Sequence, residues 1–377
     1  MNINLQSGYD MIYLAMCAVN QYQPDVERVK NMNLEELFEI CEHHSLTALV
    51  CTALEMAGTA DKKWIEVKNK SIRKTMMFNA ERDKIISFME KTGIKYMPLK
   101  GIIIKDFYPK IGMRQMSDND IFYDKNYRNE LEKFMDSCGY TDKKVGTSNH
   151  DTYKKLPIYN FEMHTTLFDE IVEDMTSYYS DISSRMLKDE GNNFGYHFSD
   201  EDFYIYITAH EYVHFTSNGT GVRSLVDCYV CMEHLEKSLN WKYIKTESDK
   251  LGIAEFEEKR RKLSKKLFSE NGIENLTESE KELFECYLFS GTYGKFSNKV
   301  SNKLRKIQPN GDKITSLNKL TYITKRLFPD MKFYKRFYPF FYRHKVLLPL
   351  CFFLRLYKAI FSSRKKVKRE LEILKNK

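Results

Sequence analysis

The stretch Arg114-Gln-Met-Ser-Asp-Asn-Asp-Ile-Phe-Tyr123 decides the fold and the chemistry that we predict for this chain. Within it, Asp118 and Asp120 stand two positions apart, and on an extended strand such side chains point to the same side. Two neighbouring carboxylates raise each other's pKa unless a cation lies between them. Oxygen ligands favour Mg²⁺ or Mn²⁺, so the pair predicts a divalent-metal site. The alternative is a pair of polar residues in a turn before a strand, because Asp-x-Asp is short and common.

A third carboxylate supports the metal site. In Asn160-Phe-Glu-Met-His164, apolar and polar residues alternate, as expected of a strand with one face on a core. If this strand neighbours the aspartate strand, Glu162 joins Asp118 and Asp120. Three carboxylates can hold two metal ions about 3.5–4 Å apart, which activate an attacking oxygen and stabilise a leaving phosphate. We therefore predict these three residues as metal ligands and catalytic groups, with His164 in contact with Glu162.

A phosphate-binding element is predicted at Lys100-Gly101, where a strand ends and a helix opens. Glycine lets backbone N–H groups approach an anion closely, and a helix N-terminus adds positive potential. Lys100 supplies a full charge for a triphosphate, and Arg114 supplies another. The alternative for Lys100 is a solvated lysine in a turn, but its position ahead of the aspartates favours phosphate binding.

The periodicity of the chain predicts an α+β fold. Residues 1–92 carry apolar positions at helical spacing, as in Leu34–Leu54 and Ile72–Thr92. Short apolar runs then alternate with helical segments, which predicts a small mixed sheet with helices against it. The predicted strands are Gly93–Leu99, Asp118–Tyr123, Tyr140–Lys144 and Asn160–Leu167. The further predicted helices are Ile102–Phe107, Asn126–Ser137, Phe203–Phe215, Val222–Leu239, Glu255–Phe268 and Thr277–Phe289.

Composition limits the function classes. The chain has 377 residues, a net charge of +8 and 14% aromatic residues, so it is long enough for two or three folded domains. Cys228 and Cys231 form a C-x-x-C pair without a second pair to complete a zinc site, which predicts reduced thiols. No secretory signal and no membrane-spanning stretch is visible, so we expect a cytoplasmic protein. The basic residues are dispersed outside the tail, and no specific nucleic-acid partner is predicted.

The tail, residues 333–377, differs from the rest in being rich in aromatic, leucine and basic residues. Pro349 and Arg355 interrupt its apolar run, but such a segment suits the headgroup layer of a membrane. The basic run Arg364–Arg369 adds attraction to anionic lipid. One expectation is therefore that the tail rests on the inner face of an anionic membrane. The other is a C-terminal helix packed on the protein's own core.

Several motifs together carry a resemblance to a known family. They are Leu99-Lys100-Gly101, Tyr108-Pro109, Arg114, Asp118-x-Asp120-Ile121, Glu162-x-His164, His210-x-x-x-His214 and Arg223-Ser-Leu-Val-Asp227. In this order the chain resembles a bacterial group of uncharacterised nucleotidyltransferases in the polymerase-β nucleotidyltransferase superfamily, over most of residues 30–240. Many superfamily members carry Gly-Ser in the phosphate loop, where this chain has Lys-Gly.

The resemblance implies an enzyme that moves a nucleoside monophosphate from an NTP, such as ATP, to a hydroxyl-bearing acceptor and releases pyrophosphate. It implies a sheet of polymerase-β type between N-terminal helices and a C-terminal helical region, and a link to surface polysaccharide metabolism. The side chains that it suggests as supporting groups or acceptor contacts are His164, His210, His214, Arg223 and Asp227. We divide the chain into an N-terminal helical region (1–92), a nucleotidyltransferase core (93–198), a helical domain (199–297), a linker (298–332) and the tail (333–377).

Two other functions compete with this prediction. His210-Glu211-Tyr-Val-His214 matches the H-E-x-x-H helix of zinc metalloproteases, with Glu233 as an available third ligand. The structural interpretation of the same residues is a helix packed into a core, because the surrounding positions are aromatic and apolar. The second competitor is a non-catalytic, membrane-associated binding module that has kept its carboxylates.

Overall fold

The structure is a computed structural model that describes residues 4–170, 172–292, 294, 316–361 and 364–375. The chain divides into two compact units. Unit 1 comprises Met1–Val213 and Thr220–Thr292, and unit 2 comprises His214–Gly219 and Tyr293–Lys377. The predicted α+β class is confirmed, since a five-stranded mixed sheet and a two-stranded sheet accompany N-terminal and C-terminal helices.

Unit 1 begins with helices α1 to α5, which are Leu5–Asn20, Val26–Lys30, Leu34–His44, Thr47–Met56 and Lys62–Thr92. The single helix predicted over Leu34–Leu54 is wrong. Ser45 has a left-handed backbone with φ of 54°, and its N–H closes the end of α3 on the carbonyl groups of Cys41 and Glu42. Helix α5 starts ten residues earlier than predicted because the Asp61 side chain caps it by accepting from the backbone N–H of Trp64.

The main sheet follows, interleaved with helices α6 (Gly101–Ile104) and α7 (Arg128–Ser137). Its strands are β1 (Tyr96–Pro98), β2 (Asn119–Tyr123), β3 (Asp142–Lys144), β4 (His150–Lys155) and β5 (Tyr159–His164). The strand order is β1-β2-β5-β4-β3. The β2–β5 pair is parallel and the other pairs are antiparallel. Strand β4, which had no counterpart in the prediction, lies between β5 and β3.

One face of this sheet carries the core and the other carries polar groups. Phe161 and Met163 of β5 belong to a buried cluster with Ile121 of β2 and with Phe78 and Ile85 of α5. Because side chains alternate along a strand, the residues between these core positions face the opposite side. That opposite face is the one on which the predicted site lies.

The remainder of unit 1 is mainly helical. It contains α8 (Glu173–Tyr178), β6 (Met186–Lys188), β7 (Tyr196–Phe198), α9 (Asp200–Phe215), α10 (Arg223–Leu235), α11 (Trp241–Lys250), α12 (Ala254–Leu267) and α13 (Glu278–Ser290). The last two residues of α9 belong to unit 2. The helices predicted in this part are confirmed in type, and their ends differ from the predictions by at most four residues.

The described helices of unit 2 are α14 (Ser316–Leu327), α15 (Met331–Phe337), α16 (Pro339–Arg343), α17 (Leu348–Phe361) and α18 (Arg364–Lys375). Residues 298–315 of the predicted linker lie outside the described residues. Many apolar side chains of these helices are exposed, among them Phe353 and Phe361, at 64% and 68%. In the described part of the chain, no helix has the length and apolar character that crossing a bilayer requires.

Candidate active site

The parallel pairing of β2 with β5 brings the predicted carboxylates together. Asp120 lies directly opposite Glu162 in the register of the two strands. Both side chains project from the polar face, because their neighbours Ile121 and Phe161 are in the core. Asp118 lies just ahead of the first residue of β2 and is half-buried. The fold therefore places Asp120 next to Glu162, with Asp118 two residues ahead on the same segment, and their metal-binding role stays a prediction.

The three carboxylates differ in protonation. Burial and the nearby charge of Asp120 raise the pKa of Asp118. Burial and the charges of Asp120 and Asp118 also raise the pKa of Glu162, to about 7. Asp120 behaves oppositely: burial opposes its ionisation, but the Lys100 ammonium and a hydrogen bond from His164 hold its pKa well below the ordinary value. Burial and mutual repulsion thus raise the pKa of Asp118 and Glu162, whereas Lys100 and His164 stabilise the ionised form of Asp120.

Lys100 lies against the aspartates, as its predicted role requires. Its Nζ is 2.8 Å from Oδ1 of Asp120, and its side chain is 16% exposed. The backbone of Lys100 is left-handed, with φ of 49°, which is uncommon outside glycine. A Cβ on the next residue, Gly101, would lie 2.6 Å from Nη1 of Arg114, so only glycine fits without a shift. Helix α6 is a single turn, so the lysine is the main source of positive charge in this loop.

Arg114 forms a buried, two-point ion pair with Asp227 of α10. Its Nε and Nη2 donate to the two carboxylate oxygens at 2.8 and 2.9 Å. The hydroxyl of Tyr108 donates to the same carboxylate at 2.8 Å. Asp227 therefore has the structural pairing role that was one of its two predicted roles. The phosphate contact of Arg114 stays a prediction, and its guanidinium is held beside Gly101 by this pair.

His164 contacts a different carboxylate from the one predicted. Its Nε2 donates to Oδ1 of Asp120 at 2.8 Å, whereas Oε2 of Glu162 is 3.9 Å away. His150, which the sequence reasoning missed, lies opposite His164 in the β4–β5 register. Nε2 of His150 is 3.7 Å from Oε2 of Glu162. The buried positions of this strand are Asp151 and Tyr153, so no alternation of apolar and polar residues marks it in the sequence.

Two further cations lie within electrostatic reach of Asp118. Lys74 projects from α5, and burial lowers its pKa in spite of the attraction of Asp118. Arg223 is at the start of α10 and donates to the backbone oxygen of Gln115 at 3.3 Å. Burial and the adjacent Arg114 lower the pKa of Arg223. Sequence reasoning missed Lys74 because a helix far away in the chain supplies it.

The H-E-x-x-H sequence of α9 has a structural role at its glutamate. Glu211 is buried, and Nε of Arg260 donates to it at 2.6 Å. The hydroxyl of Tyr287 donates to its other oxygen at 2.9 Å. A metalloprotease needs this glutamate to accept a proton from a metal-bound water. Here an ion pair and a hydrogen bond in the core already satisfy it.

Comparison with protein-family models matches residues 30–269 to the family described as "Uncharacterised nucleotidyltransferase". The chain belongs to this family. Comparison with curated proteins and with solved structures gives no match. The matched range includes the sheet, the three carboxylates and the H-E-x-x-H helix α9. The resemblance predicted from the motifs is confirmed.

Membership of the nucleotidyltransferase family supports a general nucleotidyltransferase function with a nucleotide substrate. Divalent metals are used generally in the family. In the described residues, His150, Glu162 and His164 form a group whose ligand atoms all lie within 4.8 Å of one another. Family membership alone leaves the acceptor, the ion and the ligand set to be proposed.

Proposed function

We propose that the protein transfers a nucleoside monophosphate from an NTP to a hydroxyl-bearing acceptor and releases pyrophosphate. Asp118, Asp120 and Glu162 are the proposed catalytic and metal-binding residues, with Mg²⁺ or Mn²⁺ as the ion. The observation that carries this proposal is the register of β2 on β5, which sets Asp120 opposite Glu162 beside Lys100. Membership of the nucleotidyltransferase family supports the reaction class.

The donor set fits a hard divalent ion. The raised pKa of Glu162 and of Asp118 reflects negative charges that are crowded and partly desolvated. Carboxylate oxygens are the ligands that Mg²⁺ and Mn²⁺ prefer. When bound, such ions neutralise charge on the phosphates and lower the pKa of an attacking hydroxyl. These three side chains would hold them.

The chain's own cations bind and orient the nucleotide in this proposal. Lys100 leaves Asp120 and pairs with a phosphate oxygen, which frees the carboxylate. The backbone at Gly101 allows close approach of the same phosphates, and Arg114 stands beside it. Lys74 and Arg223 add positive charge near Asp118, which favours the expelled pyrophosphate.

Proton transfer in this reaction requires a base near the acceptor. The acceptor oxygen forms a bond to the α-phosphorus, the bond from that phosphorus to the bridging oxygen breaks, and the hydroxyl proton goes to a carboxylate. Asp120 already accepts from Lys100 and His164, and its pKa is strongly lowered. Glu162 is the proposed base, because it lies opposite Asp120 in the sheet and does not accept the hydrogen bonds that engage Asp120.

Thermal stabilisation by nucleotide tests the proposal. Each of the common NTPs is added with Mg²⁺ to the native protein, to Asp118→Asn and to the control Asp142→Asn. Asp142 is exposed on β3 of the same sheet. We expect one or more NTPs to raise the melting temperature of the native protein and of the control but not of Asp118→Asn. Equal stabilisation of all three proteins, or of none, would refute the site.

The acceptor is proposed from the resemblance to chains linked with surface polysaccharide metabolism. Incubation with an NTP labelled at the α-phosphate and with candidate glycans or sugar lipids follows transfer directly. Label should move to an acceptor in the native protein and stay in the nucleotide with Asp118→Asn. If label moves to no hydroxyl-bearing compound while the stabilised NTP is turned over by another route, the acceptor class is wrong.

We also propose that unit 2 contacts an anionic membrane surface through residues 333–377. Exposed aromatic side chains such as Phe353 and Phe361 occur on α17, and this unit contains a cavity of about 680 Å³ bordered by Arg326, Arg355 and Lys358. Apolar and basic groups in one place suit a headgroup layer. Sedimentation with anionic vesicles should fall when Phe353 and Phe361 are changed to serine, and neutral vesicles serve as the control. Unchanged sedimentation would reject this contact.

The competing functions have separate tests. If the protein were a metalloprotease, His210→Ala would lose both bound zinc and a peptidase activity. The buried ion pair of Glu211 with Arg260 argues against Glu211 as the general base of such an enzyme. For a non-catalytic binding module, vesicle binding would remain while no NTP stabilised the protein. The nucleotide and vesicle experiments together distinguish the three functions.

A further inference from the structure

Two histidines and a glutamate converge on the polar face of the main sheet. Oε2 of Glu162 is 3.7 Å from Nε2 of His150 and 3.9 Å from Nε2 of His164. The side chain of His164 is 2% exposed, whereas His150 and Glu162 are 27% and 24% exposed. The group is therefore fixed on its inner side and open to an entering ion on its outer side.

The donor set differs from the all-oxygen set proposed for magnesium. Two imidazoles and one carboxylate form a ligand set that binds zinc in protein sites, with a position left for water. Imidazole nitrogen suits Zn²⁺ and related transition metals, whereas Mg²⁺ keeps oxygen ligands. Burial and the nearby Lys100 lower the pKa of both histidines, that of His164 to about 4. Neutral rings are the form that binds a metal.

The hydrogen bonding of the rings is incomplete. Nδ1 of His150 and Nδ1 of His164 are buried and have no hydrogen-bond partner in the described protein. Neither Nδ1 atom is committed to another group, so the ring proton can occupy Nδ1 and leave Nε2 of each ring as the ligand atom that faces Glu162.

We propose that His150, Glu162 and His164 bind a transition-metal ion of the zinc class, in competition with magnesium for Glu162. The inference shares Glu162 with the proposed function, but ion binding itself requires no nucleotide. Occupation by zinc removes Glu162 from the magnesium ligands, and the ion then opposes magnesium-dependent nucleotide binding. The site makes the protein sensitive to the zinc-to-magnesium ratio.

Binding of an ion by His164 requires only a shift of its ring proton, with no added reactant. His164 now carries its proton on Nε2, from which it donates to Asp120. If an ion bound at Nε2, that proton would move to Nδ1 and the Nε2 lone pair would become the ligand. The hydrogen bond to Asp120 would be exchanged for attraction between the carboxylate and the ion.

Calorimetric titration of Zn²⁺ into metal-stripped full-length protein tests the site. A Cys286→Ser background removes the exposed thiol as a competing ligand. His150→Ala removes one ligand, His150→Cys replaces it with a thiolate that also binds zinc, and His197→Ala is the matched control. His197 is half-exposed and bonded to Asp189 elsewhere in unit 1. Absorption of bound Co²⁺ in the same proteins reports whether nitrogen ligands surround the ion.

We expect zinc to bind the background protein in excess Mg²⁺, and to bind His150→Ala more than about tenfold more weakly. His150→Cys should restore binding, and His197→Ala should leave it unchanged. Equal zinc binding in His150→Ala and the background protein would overturn the proposal, as would complete displacement by excess Mg²⁺. Asp118→Asn should keep zinc while losing nucleotide-dependent stabilisation, so failure of this site and failure of the transferase proposal are distinguishable.

Discussion

Replacing Glu162 by glutamine should make the metal-free protein more stable at alkaline pH. Glu162 is held beside Asp118 and Asp120, and its pKa in the folded protein is about 7 instead of 4.5. Folding therefore favours the protonated form of this group. Its contribution to stability is complete below about pH 4.5 and is lost as the pH rises through about 7. Glutamine has nearly the same shape as glutamate and does not ionise, so it does not lose this contribution at alkaline pH.

The magnitude follows from the pKa values. A rise from 4.5 to about 7, at 1.36 kcal/mol for each pKa unit, corresponds to about 3 kcal/mol. Part of this loss has already occurred at about pH 5, so the difference between the two proteins should grow by roughly 2–3 kcal/mol from about pH 5 to about pH 8. His164, whose pKa is lowered, contributes stability that is lost as the pH falls toward about 4. Comparing the two proteins at each pH removes that opposing contribution.

Denaturant unfolding of chelator-treated protein gives the measurement. The two tryptophans of the chain, Trp64 and Trp241, both lie in unit 1, so their fluorescence follows the unit that contains the site. Glu39→Gln, an exposed glutamate on α3, is the matched control and should follow the native protein at every pH. Adding Mg²⁺ should then stabilise the native protein more than Glu162→Gln, because the ion binds the ionised carboxylate. If the free energies of unfolding of Glu162→Gln and of the native protein run in parallel from about pH 5 to about pH 8, the inferred crowding of carboxylates is wrong.

Three further outcomes are expected. Lys100→Gly suits the positive φ of this position but leaves Asp120 without its cation, so the free energy of unfolding should fall and nucleotide-dependent stabilisation should disappear; retained stabilisation by nucleotide would exclude the lysine from phosphate binding. Asp227→Asn leaves Arg114 without its buried partner and should lower the free energy of unfolding by about 3–5 kcal/mol, which denaturant titration measures. Glu211→Gln should cost a similar amount, because it leaves the charge of Arg260 buried without its partner; an unchanged free energy of unfolding would refute the structural role of this glutamate.

The sequence predicted the carboxylate site because ordinary strand alternation governs it. Phe161 and Met163 are buried where the pattern requires, and this fixes the direction of Glu162. Strand β4 was missed for the opposite reason. Its core positions are Asp151 and Tyr153, and the charge of Asp151 hides the alternation. Tyr123 and Arg128 neutralise that aspartate by hydrogen bonds of 2.6 and 2.8 Å, which no local pattern reveals.

Other features depend on contacts between distant parts of the chain. The pairing of Arg114 with Asp227 joins residues 113 positions apart, so spacing alone could not distinguish a phosphate ligand from a structural arginine. Lys74 approaches Asp118 only because α5 packs on the sheet. The helix break at Ser45 depends on a left-handed backbone conformation, which a serine within a helical pattern of apolar residues does not predict. Sequence periodicity therefore predicted most of the helices and strands and the approach of Asp120 to Glu162, whereas tertiary packing decided which cations lie near these carboxylates.

The contact between Lys100 and Asp120 has a consequence for the order of events. In the empty protein, the ammonium serves as an internal substitute for a metal and keeps a buried negative charge tolerable. In the proposed reaction, an incoming triphosphate would draw the lysine away, and the aspartate would then become fully available to magnesium. Nucleotide binding would therefore raise the affinity for magnesium, and by thermodynamic linkage magnesium would raise the affinity for nucleotide by the same factor. Magnesium alone would therefore bind weakly, because the Lys100 ammonium already occupies the Asp120 carboxylate.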